Sequence, residues 1–130
     1  MDWRPPHAYV PGLNERHPEK LFDFLKADIA TAELNDLPQT TAWRYGKAFL
    51  QEGYFWEAHE LFEPLWMACP PNSAEKLYVQ SIIQSANAAL KEKMGQGDAA
   101  AKINNHALAL RTEAQRRSPD TLFGISIVEL

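Results

Sequence analysis

Residues 54–66 read YFWEAHELFEPLW, and their spacing decides the fold class. At 100° per residue, Phe55, His59, Phe62 and Trp66 fall on one stripe, which Ala58, Leu61 and Leu65 widen. That spacing predicts a helix with one apolar face. Glu63 follows His59 by four residues, so the two can meet on the edge of that face. Glu57 and Glu60 are expected to point toward solvent. From Glu52 to Glu63 the chain carries four carboxylates and no Lys or Arg, so this surface is locally acidic. Pro64 removes one internal hydrogen bond at a cost of about 3 kcal/mol, which predicts a kink near Glu60–Pro64.

The segments on either side extend the helical reading. Upstream, PEKLFDFLKADIA spaces Leu21, Phe22, Leu25 and Ile29 as a first helix from Pro18. A second helix follows NDLPQT, with Asp36 as its expected cap and Gln39 three residues on; Gly53 ends it. Downstream, CPPN stops the quoted helix, and Asn72 with Glu75 is the expected cap of the next. That fourth helix, SAEKLYVQSIIQSANAALKEKM, is apolar or small around most of its circumference, as a central buried helix should be. Gly95 and Gly97 interrupt it, Asp98 is placed to cap a fifth, and Ser118-Pro119 ends that one. Residues 1–17, broken by Pro5, Pro6 and Pro11, form an irregular arm that Trp3, Tyr9 and Val10 can anchor. The tail LFGISIVEL is expected to lie extended on the bundle and not in a sheet, since no partner strand is visible. The expected fold is all-α: one domain over residues 1–130, a bundle of about five helices at 18–117, with an arm before them and a tail at 118–130.

At 130 residues and 45% hydrophobic the chain suits a single core. A net charge of −4 argues against a nucleic-acid or anionic-membrane binder. One cysteine, Cys69, allows no internal disulfide and reads as a small apolar residue at a helix end. MDWRPPHAYVPG has no apolar core of a secretory leader, and no run approaches a membrane span, so a soluble, cytoplasmic protein is expected.

The fourth helix carries a second polar line: Gln80, Gln84 and Asn87 at i, i+4 and i+7, then Lys91. Buried amides need partners, so a cluster of His59, Glu63, Gln80 and Gln84 is expected between the third and fourth helices. HELFE is half of the H-E-x-x-H zinc pattern, with Glu63 where the second histidine would stand. Two ligands are too few for a zinc site, and His7, His17 and His106 are scattered in sequence, so no metal or cofactor is assigned. Trp43, Trp56 and Trp66 read as packing residues. No Ser or Cys lies in a nucleophile context.

Two resemblances follow from these residues. WRYGKAFLQEGYFWEAHELFEPLWMACP is similar to a single tetratricopeptide-type helix pair, through Gly46, Phe49, Gly53, Phe55, Ala58, Phe62 and Pro70. One pair does not make a solenoid. More specifically, YFWEAHELFEPLW followed by LYVQSIIQSANAAL and the GDAA helix start resembles the uncharacterised family called domain of unknown function 309. AYVPGLNERHPE also looks like its N-terminal segment. The resemblance implies a small all-helical bundle, and motif positions at Glu57, Ala58, His59, Glu60, Glu63, Trp66, Gln80 and Gln84. Many members place a histidine where this chain has Lys91. It implies no activity.

Two functional expectations stand. One is a non-catalytic helical binding or interaction module for a protein or small molecule, in which the His59, Glu63, Gln80 and Gln84 cluster orders the helix pair so that losing His59 or Glu63 costs a few kcal/mol, with nucleic acid and membranes excluded as partners and the oligomeric state, a homodimer included, left open. The other is a small hydrolase or ligand-binding enzyme using the same cluster, with or without a divalent metal, and an open pocket beside Pro64.

Overall fold

A computed structural model describes residues 3–130. Four α-helices follow one another: α1 Thr41–Glu52, α2 Phe55–Ala68, α3 Ala74–Lys93 and α4 Gly97–Arg117. The all-α expectation therefore holds, with two corrections at the ends. The segment from Pro18 to Ile29 is a chain of turns around one short 3-10 stretch, Asp23–Lys26, and not an α-helix. Its backbone bonds close three residues back, as in Leu25 N–H to the Phe22 carbonyl (3.0 Å) and Ile29 N–H to that of Lys26 (3.3 Å). Over two turns a repeat of three and one of 3.6 bury the same residues, here Phe22, Leu25 and Ile29. The second correction is the tail, which folds back on itself: β1 Thr121–Leu122 pairs antiparallel with β2 Ile125–Ser126. The missing partner strand lay within the tail. Phe123 and Gly124 form its two-residue turn, with φ of 56° and 75°, the left-handed pair that a tight hairpin demands.

The helix starts also shift. Leu34–Gln39 is a separate 3-10 stretch containing Pro38, and Thr40, not Asp36, caps α1: its Oγ1 accepts from Trp43 N–H at 3.3 Å. Ser73, not Asn72, caps α3, accepting from Lys76 N–H at 3.0 Å. Asn72 instead makes the left-handed bend, at φ 62°. Asp98 lies in the first turn of α4, beyond a start at Gly97. Gly53 closes α1 at φ 87°, as its residue type requires.

α2 runs unbroken through Pro64. Its buried side is Ala58, Leu61, Phe62 and Leu65, while Phe55, His59 and Trp66 are half-buried. The buried stripe is thus rotated from the one centred on Phe55, His59 and Trp66. α3 is central, with α2 on one side and α4 on the other. α4 turns Ala100, Ala107 and Ala114 inward on a seven-residue repeat. The main core joins Trp43, Phe62, Leu65, Val79, Ile82 and Ile83 to Leu122 and Phe123 of the hairpin. A second joins Phe22, Leu25, Tyr45, Phe49, Ala58 and Leu61 under the arm. Gly46 brings α1 close to α2: a Cβ there would sit 2.7 Å from the Phe62 ring.

Candidate functional site

Among the described residues, histidines meet α2 carboxylates in two places, and the two differ in kind. The first was not legible as a pair. Glu57 is completely buried, contrary to the solvent-facing placement expected for it. Its Oε2 accepts from Tyr9 N–H at 2.7 Å and shares a hydrogen bond with His17 Nε2, also at 2.7 Å. The His17 and Glu57 side chains are 1% and 0% exposed. Burying either alone would be costly, and together they compensate one another. Glu57 Oε1 has no partner among the described residues. Around this pair the arm packs as rings: Tyr9 and His17 against Trp56, at 5.1 and 5.9 Å between centroids, and His7 against His17 at 4.5 Å. Trp3 packs edge-on to Phe22 (5.7 Å) and Phe24 (5.1 Å), and Arg4 clamps Glu52 through two bonds of 2.8 and 2.7 Å. Trp3 and Tyr9 anchor the arm as expected. The signal that could have found Glu57 is its spacing: with Leu61 and Leu65 it makes an i, i+4, i+8 line on the buried side.

The second pair was expected. His59 Nε2 lies 3.4 Å from Glu63 Oε2, and His59 Nδ1 lies 3.8 Å from Glu60 Oε1. These groups are open to water: the His59, Glu60 and Glu63 side chains are 26%, 31% and 54% exposed. Their ligand atoms lie within 4.8 Å of one another. Beside them a depression of about 310 Å³ is lined by Lys26, Glu60, Glu63, Pro64 and Met67. Lys26 Nζ stands 4.0 Å from Glu60 Oε2.

Gln80 and Gln84 are half-buried on α3, and neither hydrogen-bonds to His59 or Glu63 among the described residues. Gln80 instead shares a depression with Trp66, at the end of α2, and with Lys76. The Trp66 Nε1–H is buried without an acceptor among the described residues, and the Lys76 ammonium lies over the indole, 4.0 Å from the ring centroid. Lys91 is half-buried near the end of α3, and His106 is exposed on α4. Cys69 is buried, its Sγ–H donating to the Leu65 carbonyl, and burial pushes its thiol up to about 11. No helix among the described residues is long and apolar enough to cross a membrane.

No curated protein and no solved structure matches the chain. From Trp43 in α1 to Ile103 in α4, the stretch that holds all of α2, all of α3 and every α2 and α3 motif position above, residues 43–103 match the model of the family described as domain of unknown function (DUF309).

Proposed function

We propose that this protein is a small helical binding module whose working surface is the edge of α2 carrying His59, Glu60 and Glu63. The observation that carries the reading is the contrast between the two histidine–carboxylate pairs. His17 and Glu57 are sealed and spend their hydrogen bonds on holding the arm. His59, Glu60 and Glu63 converge on open surface, where the packing of the core does not need them. Two carboxylates and an imidazole in that arrangement suit a cationic group on a ligand or partner.

The test is stability. Exposed ion pairs contribute about 0–1 kcal/mol, so His59→Ala and Glu63→Ala are expected to melt within a few degrees of the parent protein. A loss above about 2 kcal/mol in either variant, the scale of a broken buried network, would make the edge a structural brace and refute the proposal.

A second reading, metal-assisted hydrolysis, is favoured by the depression beside Pro64 and by the converging ligand atoms. The fit is partial. The 3.4 Å between His59 Nε2 and Glu63 Oε2 suits two ligands of one ion with bonds of about 2.0–2.2 Å. Glu60, however, faces the other ring nitrogen, so a third protein ligand needs a side-chain rotation. Elemental mass spectrometry of tag-free protein separates the readings. A stoichiometric divalent ion lost in His59→Ala supports the metal site, and metal-free protein supports the binding module.

A further inference from the structure

Trp66 and Gln80 are motif positions that the α2 edge does not use, and they meet in a different place. Between the end of α2 and the first turns of α3 lies a depression of about 260 Å³, walled by the Trp66 indole, Pro71 and Leu77, with Lys76 and Gln80 at its polar side. We infer that this depression binds a small carboxylate with an apolar body. The inference uses none of the residues of the α2 edge, so either can fail alone.

Unpartnered donors make the first part of the case. The Trp66 Nε1–H is buried without an acceptor, one of only two such side-chain atoms among the described residues. A buried donor left unmade costs about 1–3 kcal/mol, a deficit that an oxygen cancels once a ligand parts the wall that covers it. The Gln80 amide has no hydrogen-bond partner among the described residues. Lys76 Nζ carries three protons, and its one hydrogen bond among the described residues, to the Cys69 carbonyl, is long at 3.4 Å. Charge makes the second part. In a chain of net charge −4, this depression is lined by one ammonium and no carboxylate. A carboxylate only accepts and has two oxygens. One can take the Lys76 ammonium and the other the Gln80 amide. Lys76 now covers the indole face at 4.0 Å, and its flexible stem lets it lift onto the ligand. The volume falls just below the usual range for drug-sized ligands, about 300–1,000 Å³, which limits the occupant to a small acid.

The experiment is a titration of ¹⁵N-labelled protein followed at the indole signal of Trp66, identified by its loss in Trp66→Phe. 3-Phenylpropionate is expected to move that signal saturably, and 3-phenylpropanol is expected to leave it in place. Lys76→Met should weaken binding of the acid about tenfold or more, the scale of one charge-assisted hydrogen bond. Lys76→Gln serves if Lys76→Met disturbs the rest of the spectrum. Three results overturn the inference: no saturable shift with the acid, equal affinity for the alcohol, or unchanged affinity in the Lys76 variant. Inorganic phosphate acting as strongly as the acid would overturn the requirement for an apolar body.

Discussion

Replacing His17 by leucine is the sharpest test of what holds the arm. In the parent protein the His17 and Glu57 side chains are 1% and 0% exposed and 2.7 Å apart. His17→Leu leaves a carboxylate in the core with Tyr9 N–H as its remaining donor. Breaking a buried pair by removing one partner costs about 3–5 kcal/mol. Leucine recovers little of this, because the space it fills against Phe22 and Trp56 was already packed by the imidazole ring. For 130 residues, at about 2.1 cal/mol/K per residue, each kcal/mol lowers the melting temperature by about 4 °C. The expected fall is therefore about 10–20 °C. Adding Glu57→Met removes the stranded charge, so the double variant should regain most of the loss. Its remaining defect is the Tyr9 N–H, half-buried and worth at most about 1–3 kcal/mol. Calorimetric melts of the parent, both single variants and the double complete the cycle. Single variants within about 1 kcal/mol of the parent, or a double equal to the sum of its parts, would refute the claim that this buried pair holds the arm.

Two further outcomes follow from packing. Gly46→Ala should gain about 1 kcal/mol in helix propensity, yet its Cβ would sit 2.7 Å from the buried Phe62 ring, itself held 5.4 Å from Trp43. Overpacking of that kind costs about 1–3 kcal/mol, so a denaturant titration should show no gain and most often a loss. Cys69, whose thiol is pushed from 9.0 to about 11 by burial, should react slowly with iodoacetamide at pH 8 in the folded protein. The unfolded thiol ionises first as pH rises, so folding binds the proton more tightly above pH 9 and stability should fall from there toward pH 11. Fast alkylation of folded protein would contradict the burial.

The helices of the bundle were written in the chain because periodicity is a local property. α2 and α3 each bury a face long enough for a 3.6-residue repeat to stand out, and the breaks at Gly53 and Pro70-Pro71 bound them. The same method misread Pro18 to Ile29, where only two turns are available and turns of three residues bury the same side chains. His59 and Glu63 were found together because four residues on one helix are neighbours. His17 and Glu57 were not, since 40 residues separate them and an irregular arm has no period to extrapolate. The depression at Trp66, Lys76 and Gln80 depends on how the end of α2 sits against the start of α3.

By itself, then, the sequence determined the all-α class, the extents of α2 and α3, the buried central helix and the neighbouring of His59 and Glu63, because each rests on contacts within one helix or on a repeat along it. Only the tertiary structure decided that Glu57 is buried, that its partner is His17, that the His59–Glu63 edge is open to water, that the tail closes as a hairpin on Trp43, and that an indole N–H is left without an acceptor among the described residues. Those are relations between distant segments, and local spacing carries no record of which distant group will complete a hydrogen bond.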